Sequence, residues 1–107
     1  MKRVAVFASG RGSNLGALIA AQKDIPSYRV VLVISNVDGS GALTLAAAAG
    51  IEALCIPSRG VERSAHEHAV LAAVTARSID LICLAGYMRV LGAGFIEDFG
   101  KPILNIH

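Results

Sequence analysis

Two short segments hold residue types whose spacing could do chemistry. One is the glycine-rich run Ser9-Gly10-Arg11-Gly12-Ser13-Asn14-Leu15, which follows an apolar stretch over 4–8. The other is Asn105-Ile106-His107, which follows a second apolar stretch over 102–104. Gly10 and Gly12 let a chain leave a strand with unusual dihedrals and bring backbone close to a ligand. If Ser13 and Asn14 then open a helix, its free N–H groups and positive dipole end favour an anion such as phosphate, and their side chains add a hydroxyl and an amide donor. Ser13 or Asn14 could also simply cap that helix, which is compatible with anion binding. At the other segment, Asn105 and His107 lie two apart on a strand and so point to one face. There the amide could steady an oxyanion and the imidazole could move a proton near neutral pH. On spacing alone the plainer reading has the stronger claim: an idle exposed histidine beside an ordinary turn asparagine.

Gly10 and Gly12 with Gly16 form a loose variant of a dinucleotide-binding fingerprint, and Asp38 lies downstream. That fingerprint wants a closer third glycine and an acidic residue at the end of the second strand, where Asn36 stands instead. The polar Ser13-Asn14 pair suits a terminal monophosphate better than a pyrophosphate. His66 and His68, two apart on a helix, face different ways without metal-ligand spacing, so both are expected on a solvated helix face.

Segments that could position these residues alternate strand and helix patterns along 107 residues, room for a single domain over 1–107. Strands are expected at 3–8, 29–34, 51–56, 80–85 and 103–106, and helices at about 13–22, 42–49, 61–77 and 92–99. Gly50 is placed to end the second helix. Ala65, Ala69, Ala72, Ala73 and Ala76 give the third a small-residue stripe suited to close packing on a sheet. Strand–helix alternation predicts right-handed βαβ units and an α/β fold with a doubly wound parallel sheet. Hydrophobic residues make up 54% of the chain and mean hydropathy is +0.60, as expected where strands are buried on both faces.

No stretch reaches 18 apolar residues free of glycine and charge, which disfavours a membrane span. A net charge of +2 and the lack of a basic cluster with interleaved aromatics argue against nucleic acid. Cys55 and Cys83, in apolar strand-like runs, read as buried reduced thiols. The short apolar run after Met1 is a poor secretory signal, and a cytoplasmic protein is expected.

Val4-x-Val6 with Ser9-Gly10-Arg11-Gly12-Ser13-Asn14-Leu15 resembles the start of the phosphoribosylglycinamide formyltransferase family. Ser35-Asn36, then Ala85-Gly86-Tyr87-Met88-Arg89-Val90-Leu91, then Leu104-Asn105-Ile106-His107 extend the resemblance in order over the whole chain. The resemblance implies the N-terminal half of a Rossmann-like formyltransferase fold. It also implies transfer of a formyl group from 10-formyltetrahydrofolate to the amine of glycinamide ribonucleotide, without a metal. Carried over, Gly12, Ser13 and Asn14 would hold the ribonucleotide phosphate. Met88, Arg89, Val90 and Leu91 would line the pterin site through backbone groups, and Arg63 matches an arginine that contacts the folate. Asn105 would bind the formyl oxygen and His107 would donate the proton. From their own residues, 88–91 read instead as a packed Met-Val-Leu run with Arg89 solvated.

In that family Asn-Ile-His is followed by a proline-containing segment, further strands and a catalytic aspartate that raises the histidine pKa and orders a water. The chain is therefore expected to represent the N-terminal portion and to be inactive alone. Its expected partners are small-molecule substrates, with self-association through sheet surface left uncovered. Leu91-Gly92-Ala93-Gly94 also lacks the better N-cap usual at that helix. A formyltetrahydrofolate hydrolase shares the Asn-x-His chemistry and would be marked by a regulatory domain ahead of Met1. The methionyl-tRNA formyltransferase branch lacks the Gly-Ser-Asn turn. A non-catalytic nucleotide-binding module would keep the first turn and need neither Asn105 nor His107.

Overall fold

The β-branched run at 28–35 forms the longest strand and lies next to the centre of the sheet. In a computed structural model, which describes residues 1–106, the strands are β1 (Lys2–Phe7), β2 (Tyr28–Ser35), β3 (Glu52–Cys55), β4 (Leu81–Ala85) and β5 (Ile103–Ile106). The helices are α1 (Ser13–Ala21), α2 (Gly41–Ala48), α3 (Arg63–Ala76) and α4 (Ala93–Phe99). The strands form a five-stranded sheet in the order β3-β2-β1-β4-β5, with all four pairings parallel. Elements fall where the periodicity puts them, with ends shifted by one or two residues as fraying termini allow. Val31 departs from the alternating pattern because the register between β1 and β2 slips there, Val4 facing Val30 and Ala5 facing Leu32.

Each sheet face has its own core. Val4, Val6, Val30, Val33 and Cys83 pack with Leu15 of α1 and Ala42 and Ala46 of α2. Ala5, Phe7, Leu32, Ile34 and Ile82 pack with Val70 and Val74 of α3 and Phe95 of α4. Burial on both faces explains why these strands are continuous apolar runs. Leu104 on the edge strand β5 stays half exposed. Gly50 follows α2 with φ of 73°, the left-handed conformation that ends a helix. No helix among the described residues is long and apolar enough to cross a membrane.

Three expectations need correction. The alanine stripe of α3 does not face the sheet: Ala65, Ala69, Ala72 and Ala76 are exposed and Ala73 is half-buried. His66, Val70 and Val74, spaced i, i+4, i+8, are buried instead, because larger side chains gain more by leaving water. His66 is accordingly not solvated but 1% exposed, whereas His68 is exposed. Cys83 is a buried free thiol as expected, while Cys55, at the end of the edge strand β3, is only half-buried.

Candidate active site

The strand order reverses between β1 and β4, whose following segments run opposite ways from the centre of the sheet. In open α/β sheets a crevice forms outside the carboxyl ends of such strands and is the usual ligand site. The glycine-rich turn leaves β1 at that point and the 86–91 loop leaves β4. Ser9 joins them: its Oγ accepts the Met88 N–H at 2.7 Å and donates to Asn36 Oδ1. Asn36 Nδ2 donates to Ser58 Oγ at 2.9 Å, so this buried polar chain spans the ends of β1, β2 and β3.

Gly12 is the residue before α1 and holds φ of 83°, with no side chain capping the helix. The capping role considered for Ser13 or Asn14 is therefore not realised; both lie in the first helical turn, Ser13 exposed and Asn14 half-buried. Backbone N–H groups of residues 12–15 donate to no protein acceptor among the described residues. They form an open donor cluster at the positive end of the helix. Behind it the turn packs on α2: the Ala42 N–H donates to the Gly10 carbonyl at 3.1 Å. A Cβ on Gly12 would fall 2.9 Å from Ala42 Cα. Both the dihedral and the close approach require glycine there.

A cleft of about 480 Å³ opens along the loop that leaves β4, lined by Leu84, Tyr87, residues 88–91, Ile96, Ile103 and Asn105. Met88 is 81% exposed and Val90 73%, so of the apolar residues in this run only Leu91 packs on the core. The N–H groups of residues 89–91 find no partner among the described residues. Apolar walls beside free backbone donors suit a flat heteroaromatic ring with amide-like edges. Ile103 and Asn105, two apart on β5, share the cleft face as the pleat dictates. His107 lies outside the described residues.

Arg89 is braced rather than solvated: its guanidinium donates to the Ser58 carbonyl at 3.2 Å and to the Val61 carbonyl at 3.3 Å. Arg63 opens α3 at the rim, outside the cleft lining, and pairs with Glu67 at 3.2 Å. Glu67 also accepts the Gly92 N–H at 2.7 Å. A carboxylate from α3 thus serves the start of α4, supplying from outside the N-terminal partner that residues 91–94 lack.

The sequence placed Ser9 in the glycine-rich run and Asn36 at the end of the second strand without a role as braces, and it gave no sign of Ser58 or His66 as parts of this region. Asn36 engages both ends of its amide inside the protein and Asp38 points to solvent, which removes the arrangement a dinucleotide ribose would need. His66 Nδ1 lies 3.1 Å from the Pro57 carbonyl and Nε2 lies 2.6 Å from the Tyr87 hydroxyl. Burial is the main force holding His66 below its ordinary pKa, and burial likewise pushes the Tyr87 phenol far above its own. Both are neutral at physiological pH.

A doubly wound sheet with an open donor turn and an apolar cleft at its switch point is the arrangement in which open α/β sheets bind ligands. The formyl transferase family model matches residues 2–107, and the chain belongs to that family. It is 44% identical over 110 residues to the "Trifunctional purine biosynthetic protein adenosine-3" of Drosophila melanogaster, covering 99% of this chain and 8% of that protein. It is 34% identical to the phosphoribosylglycinamide formyltransferase of Bacillus subtilis (strain 168), covering 100% of this chain and 56% of that one. The crystal structure of phosphoribosylglycinamide formyltransferase from Brucella melitensis superposes with a TM-score of 0.90 at 43% identity, over 99% of this chain and 56% of that one. Glycinamide ribonucleotide transformylase 1 from Symbiobacterium toebii gives 0.92 at 36% identity, over 100% and 51%. The chain spans about half the length of the Bacillus, Brucella and Symbiobacterium proteins and under a tenth of the fly protein.

Proposed function

We propose that this chain supplies the ribonucleotide-binding half of a phosphoribosylglycinamide formyltransferase. In this reading it acts in cytoplasmic purine synthesis, moving a formyl group from 10-formyltetrahydrofolate to the amine of glycinamide ribonucleotide. The observation that carries the reading is the pairing of two subsites across β1 and β4, joined through Ser9 and Met88. The free amides at residues 12–14 would hold the ribonucleotide phosphate, with the Ser13 hydroxyl and Asn14 amide adding donors. The cleft at 88–91 would hold the formyl donor by its pterin ring. Its volume, apolar walls and open N–H groups fit such a ring.

In the reaction a bond forms between the amine nitrogen and the formyl carbon, and the bond from that carbon to the folate nitrogen breaks. The amine loses a proton and the departing nitrogen gains one. Asn105, at the cleft wall, donates its amide to the formyl oxygen as negative charge grows there. His107 holds the proton that the leaving nitrogen takes. Leu84, Ile96 and Ile103 give this cleft its apolar walls.

The test is formyl transfer by the protein that carries this chain, followed with both substrates present. Replacing Asn105 with Ala is expected to lower kcat by about 100-fold or more, as for other oxyanion donors. Hydrolysis of the formyl donor without transfer would point to the hydrolase reading, and ribonucleotide binding without either reaction to the non-catalytic one.

A further inference from the structure

Loop 87–91 cannot hold a ligand edge by its backbone unless that backbone is itself fixed, and its own sequence supplies little to fix it. Met88 and Val90 face solvent, and residues 89–91 make no backbone hydrogen bond among the described residues. The loop is restrained from two places, the end of β1 and the connection 57–61 between β3 and α3. Arg89 reaches its carbonyls at Ser58 and Val61, and Ser9, which holds the Met88 N–H, is tied through Asn36 to Ser58 Oγ. The remaining tie runs through His66. A carbonyl can only accept, so Nδ1 carries the hydrogen donated to Pro57. In the neutral ring Nε2 then accepts from the Tyr87 hydroxyl. Both sides of one buried imidazole are thereby used to lock connection 57–61 to the first residue of the loop. Phe7 meets the Tyr87 ring edge-on at 5.3 Å between centroids, fixing the ring plane from below.

We propose that His66 is a positioning residue for the formyl-donor subsite, setting loop 87–91 through Tyr87 without touching either substrate. This rests on the reading of the cleft as that subsite. His66 is the natural candidate because it is 1% exposed, it stands outside the cleft lining, and its two hydrogen bonds run to two different site-forming segments. A packing role alone would need no second polar partner. Any apolar side chain of similar size would fill the space beside Val70.

The test is calorimetric titration of the full chain with 10-formyltetrahydrofolate alone, and separately with glycinamide ribonucleotide. His66→Phe keeps the volume but strands the Tyr87 hydroxyl and the Pro57 carbonyl, and Tyr87→Phe strands only Nε2 of the imidazole. Each is expected to weaken the formyl donor about tenfold, the size of one unmet buried hydrogen bond, while ribonucleotide affinity stays within about twofold. Tyr87→Phe removes a single oxygen and serves if His66→Phe folds poorly. In the double variant the Tyr87–His66 pair is removed as a whole and only the Pro57 carbonyl loses its donor, so part of the lost affinity is expected to return. If the unmodified chain binds the formyl donor and both single variants bind it equally well, the positioning role is wrong while the cleft reading stands. If both ligands weaken together, His66 is merely structural and the inference again fails. If the unmodified chain binds ribonucleotide but no formyl donor, the cleft reading itself fails and the inference with it.

Discussion

Ser9 Oγ accepts the Met88 N–H at 2.7 Å, joining residues 79 apart in the chain and the two loops that flank the reversal of strand order. The same hydroxyl donates to Asn36, so both its hydrogen and a lone pair are used, and its orientation is fixed. One small buried side chain therefore sets the spacing between the proposed phosphate and formyl-donor subsites. Ser9→Ala would strand the Met88 N–H and the Asn36 carbonyl together. The expected cost is about 1–3 kcal/mol, read as a lower urea midpoint at unchanged m-value.

Gly12 is constrained twice, by φ of 83° and by the Ala42 backbone 2.9 Å from where a Cβ would sit. Gly12→Ala is expected to destabilise by about 1–2 kcal/mol from the dihedral alone. It should also weaken ribonucleotide binding, because relief of the clash moves the turn away from α2. Thermal unfolding and a phosphate-ligand titration of the same variant check the two effects separately.

The pH dependence of stability carries the signature of His66. Burial holds its folded pKa below the ordinary value of about 6.5, outweighing the Pro57 carbonyl, which acts the other way. An unfolded chain therefore takes up a proton that the fold refuses. That contribution to stability is fully present above about pH 6.5 and is lost as pH falls toward the folded value. Urea unfolding at pH 7 and pH 5 should show a drop that is smaller in a His66→Phe, Tyr87→Phe double variant. An equal drop in both proteins would show that His66 does not couple to folding.

Glu67 binds the Gly92 N–H and pairs with Arg63. Glu67→Ala removes the partner at the start of α4 and is expected to cost about 1 kcal/mol, comparable to loss of a cap. The backbone amide of Gly92 should then exchange faster with deuterium, while amides in β1 and β2 keep their protection.

Fold class was legible because it follows from local signals. Continuous Val and Ile runs bounded by glycine or proline mark strands buried on both faces, and alternation with helices forces parallel connections. The turn at 10–14 was legible for the same reason, since glycine spacing after a strand is a backbone requirement. The polar side chains behind the site were not. Ser9, Asn36 and Ser58 meet only because β1, β2 and β3 end at one level, a property of strand register rather than of any segment. His66 was misread because histidine counts as polar in a periodicity, although its i, i+4, i+8 spacing with Val70 and Val74 marks the buried face. The alanine stripe misled in the opposite way. Alanine favours helix wherever it stands, and here it covers the solvent side of α3. Exposure of Met88 and Val90 had no local signal, because an apolar run in a loop looks the same whether it packs or lines a cleft.

The central claim is that the amides at 12–14 hold the phosphate of glycinamide ribonucleotide. It is tested most directly by calorimetric titration of the chain with that ribonucleotide and, in parallel, with the riboside lacking the phosphate. Binding of the ribonucleotide is predicted, falling at least about tenfold for the riboside, the equivalent of about 1.4 kcal/mol. Asn14→Ala should lower the first affinity and leave the second unchanged. Equal affinity for ribonucleotide and riboside, or unaltered ribonucleotide affinity in a folded Asn14→Ala variant, would contradict the account.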